Sequence, residues 1–295
     1  MSRTLAMGQN EVGGARPTVE APFGRALARI AAHRPEIVGL TADLGKYTDI
    51  HPFRDAFPDR FFNVGMAEQN LVAVAAGLAR TGRTPFATTY GVFASRRAYD
   101  FIAIAVAHSG LDVKIVAGLP GLTTGYGGTH QAIEDLALMR MIPGLVVIDP
   151  CDAVETEAAT EAIAAYRGPV YMRLPRGAVP VMLDPGYRFE IGKARHLRDG
   201  NDVGIVSTGL MTERALDAEA VAAFAASVPR LVTAENHVVT GGLASLVAEC
   251  LFEARVSVPL TRIGLPDRYI ECGSVPTLQR RYGLTAEAIA AAAER

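Results

Sequence analysis

Short apolar runs rich in β-branched residues alternate along this chain with alanine-rich stretches of helical length. In the first half the runs predict six strands: Ile37–Leu40, Phe61–Val64, Pro85–Thr89, Val113–Ala117, Leu145–Ile148 and Val170–Leu174. The stretches between them predict helices, of which the clearest are Leu71–Arg80, Ala94–His108 and Ala153–Tyr166. Nearly continuous apolar strands joined by helices are typical of a parallel sheet that is covered on both faces. The first half is therefore predicted to be an α/β domain.

The alternation stops near residue 176 and resumes near residue 203. The intervening segment contains Pro180, Pro185 and several glycines, and it has no helix-length period. After it come three predicted strands and three predicted helices: Val203–Ser207, Glu213–Ala226, Arg230–Ala234, Leu243–Ala254, Leu260–Ile263 and Thr285–Ala293. We therefore expect a flexible tail at 1–17, one domain at 18–176, a linker at 177–192 and a second domain at 193–295. Each domain should be a mostly parallel sheet flanked by helices.

Composition narrows the functional classes. Of the 295 residues, 49% are hydrophobic and 20% are charged, as in a globular protein with a large core. The net charge of -2 and the lack of a basic run argue against binding to nucleic acid or an anionic membrane. The apolar stretches are shorter than the roughly 20 residues that a membrane span needs. No GxGxxG follows the first strand of either half, so a nicotinamide or flavin fold is not expected.

The cysteines and the N-terminal residues bear on localisation. Cys151, Cys250 and Cys272 are odd in number and form no CxxC pair, so we expect reduced thiols and no zinc site. The first 17 residues are rich in Gln, Asn, Gly and Ser and lack the apolar core of a signal peptide. These features predict a cytoplasmic protein.

Polar residues are concentrated where predicted strands end, which is where open α/β sheets bind ligands. In Asn63–Asn70 a glycine turns the chain, and Glu68 begins a helix. Such a Glu either offsets the helix dipole or, if it is buried, shares a proton with a ring nitrogen. In Thr88–Phe93, the aromatic residues Tyr90 and Phe93 lie on the same face if a helix begins there. They either pack in the core or form a slot for a flat heterocycle.

Two further strand ends carry polar residues. The segment Gly125–Gln131 contains three glycines, which permit a ligand to approach the backbone closely, and His130, which can transfer protons near neutral pH. A histidine near a helix start, capped by Thr129, is the alternative. In Met172–Gly177 an arginine at a strand end can bind an anion, or it can form a structural salt bridge at the domain joint. These alternatives remain open from the residues alone.

In combination, these segments resemble the thiamine diphosphate-dependent transketolase family. The sequences GMAEQN, TTYGVF, YGGTHQ and LPRG occur in the family's order, and GLPDR and YGLT near the end resemble its C-terminal domain. The resemblance extends from about Ala21 to the C-terminus. It implies a pyrimidine-binding domain followed by the family's C-terminal domain. It also implies that the protein transfers a two-carbon ketol unit from a ketose to an aldehyde.

The resemblance assigns cofactor-binding roles to particular residues. Glu68 matches the glutamate that activates the aminopyrimidine ring of thiamine diphosphate. Tyr90 and Phe93 match the aromatic slot for that ring. Asp43, in the sequence TADL, matches an acidic residue near the cofactor.

The substrate side departs from the pattern of sugar-phosphate transketolases. His130 matches the histidine that contacts substrate oxygens, and Arg176 matches an arginine that binds substrate phosphate. Tyr126, however, stands where those enzymes have an Asp that contacts a substrate hydroxyl. Gly118 and Tyr47 stand where they have a phosphate-binding His and Ser. We therefore expect sugar or sugar-like substrates, with an acceptor other than a standard pentose phosphate.

The family's diphosphate site is not found in this sequence. Family members bind the divalent metal through a GDG motif and a later Asn, and the chain contains no GDG. We therefore expect a diphosphate-binding large subunit to hold Mg²⁺ or Ca²⁺ and the diphosphate, with no metal site in this chain. The resemblance then implies a heterotetramer in which two copies of this chain contact each other.

Two other functions remain open at this stage. The beta subunit of a 2-oxo acid dehydrogenase has the same domain layout, although THQ after the glycines and the RRAYD run favour a transketolase. A non-catalytic assembly or regulatory subunit on the same fold is the second alternative, because fold does not imply function. The presence of Glu68 argues against it.

Overall fold

The computed structural model describes residues 16–197, 202–211 and 227–294. Most of the predicted tail and the predicted helix Glu213–Ala226 lie outside these residues. The first domain is built on a parallel six-stranded sheet. Its strands are β2 (Ile37–Thr41), β3 (Phe61–Asn63), β4 (Thr84–Tyr90), β5 (Lys114–Gly118), β6 (Val146–Ile148) and β7 (Val170–Leu174). Their order across the sheet is β3-β2-β4-β5-β7-β6. The predicted α/β class and all six predicted strands are confirmed.

Helices cover both faces of this sheet. The helices are α1 (Pro22–Ala31), α2 (His51–Ala56), α3 (Glu68–Arg80), α4 (Asp135–Arg140) and α5 (Ala153–Ala165), with a 3-10 turn at Pro58–Arg60. One face packs Leu40 against Leu71 and Ile102, and the other packs Phe23, Phe86 and other residues. Every residue of β2, β4, β5 and β7 is buried, which explains why these strands are mostly apolar and do not alternate with exposed polar residues.

The segment that was predicted as one helix, Ala94–His108, is two short π-helices. They span Phe93–Arg97 and Phe101–Ala107. Their wider turns are closed by bonds to the fifth preceding residue, such as Ala98 N to Phe93 O at 3.2 Å. Ser95 Oγ also donates to the carbonyl oxygen of Gly91 at 2.7 Å, and this bond holds the chain where it leaves the sheet. π-helical turns are frequent at functional sites.

The second domain contains a parallel three-stranded sheet, with β10 (Leu231–Val238) between β9 (Gly204–Ser207) and β11 (Leu260–Leu265). A 3-10 turn at Gly209–Met211 follows β9. The remaining helices are α6 (Leu243–Glu253), α7 (Val275–Arg281) and α8 (Ala286–Glu294). The predicted linker begins with a strand, β8 (Ala178–Pro180), which pairs antiparallel with β1 (Thr18–Glu20). The start of that segment is therefore attached to the first domain.

A buried ion-pair network joins the two domains at Arg173 of β7. Arg173 forms a bidentate ion pair with Asp135, in which Nε donates to Oδ2 at 3.0 Å. Its Nη1 also donates to Asp149 Oδ2 and to the carbonyl oxygen of Asn236 in β10, each at 3.3 Å. Arg173 is 1% exposed. The structural salt bridge that the sequence left open is therefore formed by Arg173. Within the described residues, no helix is long and apolar enough to cross a membrane.

Candidate active site

The predicted site residues are brought to one edge of the six-stranded sheet, where the strands end. Tyr90 is the last residue of β4 and Gly118 the last of β5, while Asp43 and Arg176 each follow the end of a strand by two residues. Because the strands are parallel and adjacent, their carboxyl ends form one continuous edge. Topology therefore places residues from distant parts of the sequence at a single edge of the sheet.

Glu68 is the first residue of α3 and is 1% exposed. Gly65, with a φ of 78°, turns the chain between β3 and this helix. Arg97 Nη1 donates to Glu68 Oε2 at 2.7 Å, and its guanidinium carbon lies 4.4 Å from the centroid of the Phe93 ring. Arg97 thus connects the buried carboxylate to the aromatic residues. Burial is the condition under which the sequence allows this Glu to share a proton with a ring nitrogen.

Tyr90 and Phe93 form the aromatic part of the site. Their ring centroids are 5.9 Å apart and the rings are inclined at 34°. Tyr90 is buried, and its burial raises the pKa of the phenol although Arg176 opposes the shift. His130 lies edge-on to Phe93 with a centroid distance of 5.5 Å, and edge-on to Tyr126 at 5.4 Å. Four rings from two distant segments therefore meet at one place.

The geometry around His130 decides one of the open alternatives. Residues 128–130 form a turn, and the next helix begins at Asp135, so Thr129 caps no helix at His130. Instead, Thr129 Oγ1 hydrogen-bonds with Nδ1 of His130 at 2.9 Å. This bond orients the imidazole and leaves Nε2 as the ring nitrogen for another partner.

Arg176 presents an unused hydrogen-bond donor at the same edge. Its Nε is buried and has no hydrogen-bond partner among the described residues. Its charge lowers the pKa of the Tyr90 phenol and of the Asp49 carboxyl, although burial raises both overall. Asp49 accepts a hydrogen bond from Gly177 N at 2.6 Å. A buried donor without a partner requires an explanation, and an anionic ligand is a fitting one.

Asp43 is placed differently from the aromatic cluster. It has a φ of 60°, in the left-handed region that Asp tolerates better than most residues. Its backbone N–H and its Oδ1 both hydrogen-bond with the side chain of Asn63, at 3.1 and 2.8 Å. Leu119, which directly follows β5, also has a positive φ of 54°. Strained residues of this kind cluster at functional sites.

The glycines of the segment Gly125–Gln131 contact the second domain. A Cβ atom at position 125 would lie 2.3 Å from the carbonyl oxygen of Gly273, and one at position 127 would lie 2.6 Å from the sulfur of Cys272. Contact with the second domain is therefore one reason why these positions lack a side chain.

Some residues of the site were not found from the sequence. Arg97 was visible only as part of the RRAYD run, although its position one turn after Phe93 is a usable signal. Asp49 had no signal, since its role depends on Gly177, 128 positions away. In the part of the chain that the structure describes, no group of three His, Cys, Asp or Glu side chains could hold a metal ion.

Comparison with known protein families identifies the class to which this fold and site belong. Residues 16–182 match the transketolase pyrimidine-binding domain, and residues 214–289 match the transketolase C-terminal domain. The chain therefore belongs to the transketolase family, whose members use thiamine diphosphate.

Individual relatives agree with this assignment. A transketolase family protein of Sinorhizobium fredii is 51% identical, with 98% of this chain and 91% of that protein covered. A 6-deoxy-6-sulfo-D-fructose transketolase subunit of Clostridium sp. is 40% identical over 90% of each. A solved structure described as a split gene transketolase, inactive beta4 tetramer, is 40% identical with a TM-score of 0.85, and covers 94% of this chain and 97% of that one. The chain is thus similar to split transketolase subunits over most of its length.

The residues at the site fit the aminopyrimidine end of thiamine diphosphate. The rings of Tyr90 and Phe93 can pack against a flat heterocycle, and the buried carboxyl group of Glu68 can share a proton with a ring nitrogen. Bound there, the group would supply the nucleophilic carbon that cleaves and forms carbon–carbon bonds.

Proposed function

We propose that this chain is the pyrimidine-binding, small-chain subunit of a two-component transketolase. With thiamine diphosphate, the assembled enzyme transfers a two-carbon ketol unit from a ketose to an aldehyde, and it is active only with the partner. The observation that carries the proposal is the burial of Glu68 beside an aromatic pair at the carboxyl edge of a parallel sheet. A buried carboxyl group beside two aromatic rings can hold a flat heterocycle and exchange a proton with it.

Each residue of the candidate site has a distinct role in this proposal. Glu68 holds a proton at a ring nitrogen of the bound pyrimidine, and Arg97 fixes the plane of its carboxylate. Tyr90 and Phe93 orient the ring and exclude water from one side. His130, with Thr129 on Nδ1, uses Nε2 to hold or move a proton at a substrate oxygen. Asp43 lines the cofactor side, and Tyr126 and Arg176 line the substrate side.

The substrate is proposed to differ from a standard pentose phosphate. Only Arg176 stands at a position that matches a phosphate-binding residue, while Gly118 and Tyr47 replace two others. Each charge-assisted hydrogen bond contributes roughly 1.5–3 kcal/mol, so this set should bind a phosphate weakly unless the partner adds groups. The relative named as a sulfofructose transketolase subunit supports a sugar whose anion is presented differently.

Exposed apolar side chains around the site support a partner subunit. Met66 is 80% exposed and Tyr126 is 63% exposed, and Tyr47 and Phe62 are also exposed. Apolar side chains that cluster around a site are typical of a surface that another chain covers. We propose that a diphosphate-binding large subunit covers them, holds Mg²⁺ or Ca²⁺, and forms a heterotetramer with this chain. The sequence has three cysteines and no CxxC pair, which supports a reducing, cytoplasmic location.

Calorimetry with thiamine diphosphate and Mg²⁺ tests the proposal. We expect tight binding by the chain mixed with its large subunit and weak binding by the chain alone. The Glu68→Ala variant should assemble normally and lose activity. Tight binding by the chain alone would contradict the split site. Oxidative decarboxylation of a 2-oxo acid with transfer to a lipoyl group would favour the 2-oxo acid dehydrogenase. Efficient turnover of xylulose 5-phosphate with ribose 5-phosphate would contradict the substrate proposal.

A further inference from the structure

The loop that carries Tyr126 and His130, residues 121–131, is held by the second domain at its base. Leu122 N donates to Oδ1 of Asn236 at 2.8 Å, and a Cβ atom at Gly121 would lie 2.2 Å from the carbonyl oxygen of the same Asn236. Just beyond the loop, Ile133 accepts a hydrogen bond from Val238 N at 2.9 Å. The side chains of Leu122 and Ile133 are buried in the apolar core of the second domain. Both ends of the loop are therefore anchored in β10 and its surroundings.

The tip of the loop, residues 125–128, contacts a second segment of that domain, residues 269–273. Gly273 N donates to the carbonyl oxygen of Gly125 at 3.2 Å. A Cβ atom at Gly128 would lie 3.2 Å from Cδ1 of Tyr269, and position 127 faces the sulfur of Cys272. This segment contacts all three glycines of the loop tip, so it follows the loop backbone closely.

Arg96 connects this contact to the aromatic slot. It lies in the π-helix that begins at Phe93, and its Nη1 donates to the carbonyl oxygen of Gly128 at 2.7 Å. Its guanidinium carbon lies 5.8 Å from the ring centroid of Tyr269, and it forms an ion pair with Glu134. The loop tip therefore lies between the aromatic slot of Tyr90 and Phe93 on one side and the second domain on the other.

We propose that residues 269–273 of the second domain are positioning residues that set the place of the loop, and through it of His130 and Tyr126, for the substrate. This inference rests on the proposed function and adds a task for the second domain, whose described residues supply none of the predicted catalytic side chains. The pyrimidine slot is built from α3, β4 and the π-helix. Displacement of the loop should therefore weaken substrate use and leave cofactor affinity unchanged.

Gly125→Ala is the sharpest test of the contact. The variant adds one methyl group, and the φ of Gly125 lies outside the left-handed region, so alanine tolerates the backbone. The methyl would meet a backbone oxygen at 2.3 Å, and the loop must move away from residue 273. Gly186→Ala is the matched control, because nothing lies within 4 Å of its added Cβ. Tyr269→Ala removes the ring that lies against Gly128, and Tyr269→Phe, which keeps the ring, is its control.

Hydrogen exchange of the chain alone reports the position of the loop without any need for activity. The amides of His130 and Gln131 bond to the carbonyl oxygen of Gly127 and should serve as reporters. We expect exchange across 121–131 to become at least roughly tenfold faster in Gly125→Ala and Tyr269→Ala, and to stay unchanged in Gly186→Ala and Tyr269→Phe. Unchanged exchange in both Gly125→Ala and Tyr269→Ala would overturn the proposal.

Kinetics of the assembled two-chain enzyme give the second measurement. The two loop-displacing variants should raise KM for the ketose roughly tenfold, while calorimetric affinity for thiamine diphosphate stays within about twofold. An equal loss of cofactor affinity would indicate a general structural role and would overturn the positioning role. If the parent enzyme transfers no ketol unit while exchange still changes as expected, the contact stands and the proposed function fails.

Discussion

Arg173 is the residue whose replacement should most clearly show what holds the two domains together. It is one buried cation between two buried carboxylates, Asp135 and Asp149. Replacing it with methionine, which has a similar length, removes the charge and leaves both carboxylates in the interior. Removal of one partner from a buried ion pair destabilises proteins by roughly 3–5 kcal/mol, because the remaining charge is uncompensated. We expect a loss of that size for Arg173→Met at neutral pH.

A matched arginine on the surface provides the control. Arg29 also lies between two carboxylates, with Nη2 2.8 Å from Glu161 and 3.3 Å from Glu157, but its side chain is 54% exposed. Exposed ion pairs contribute about 0–1 kcal/mol, so Arg29→Met should have little effect. The free energy of unfolding of each variant would be measured by urea titration, with fluorescence and circular dichroism followed together. Equal losses for the two variants would refute the argument from burial.

The pH dependence of Arg173→Met gives an independent check. Without Arg173, burial should raise the folded-state pKa of both carboxyls above their unfolded values. The folded state then binds more protons than the unfolded state, so stability falls as pH rises. The loss of unfolding free energy in Arg173→Met relative to the parent chain should therefore be smaller at mildly acidic pH than at neutral pH. A loss that does not change with pH would mean that packing, rather than charge, dominates at this position.

Three further predictions concern other residues. Glu68→Gln should leave the fold and the assembly intact and reduce ketol transfer by roughly 10²–10⁴-fold, and normal turnover would contradict the proton-holding role. Arg176→Met should raise KM for an anionic sugar by at least roughly tenfold with little change for a neutral one, as steady-state kinetics with paired substrates would show; equal effects would argue against an anion site. Burial raises the pKa of Asp149 from 3.8 to about 6, so the folded state holds its proton more tightly and the stability contributed by this group falls as pH rises through that range. In urea titrations at a series of pH values, the unfolding free energy of Asp149→Asn minus that of the parent chain should therefore rise with pH over this range, and a difference that does not change with pH would contradict the prediction.

His237 has the opposite pH dependence at the same joint. Its burial lowers the imidazole pKa from 6.5 to about 4, so the folded state binds fewer protons than the unfolded state between those values. Stability contributed by this group is lost as pH falls through that range and is present above it. Asp149 and His237 therefore offset each other in the parent chain, and the contribution of His237 should become visible in Asp149→Asn.

The strands of the first sheet could be predicted from the sequence, and so could the edge of the sheet at which the candidate site lies. Strands that are covered on both faces are mostly apolar without alternation, and short apolar runs predicted all six strands of the parallel sheet. Ligand-binding residues follow the carboxyl ends of such strands, so the motifs around Glu68, Tyr90, His130 and Arg176 marked one edge of the sheet before its strand order was known.

Which of these residues contact each other, and which connect the two domains, became known only from the tertiary structure. The partners are distant in the chain: Arg97 meets Glu68 across 29 positions, and Arg173 meets Asn236 across 63. Two arginines three residues apart have different surroundings: Arg173 lies between buried carboxylates, whereas the buried Nε of Arg176 has no hydrogen-bond partner among the described residues. A sequence pattern reports local period and burial, whereas the partner of a buried charge depends on which elements fold against it. For the same reason, the glycines beside His130 could not be assigned to contact with the second domain until both domains were in place.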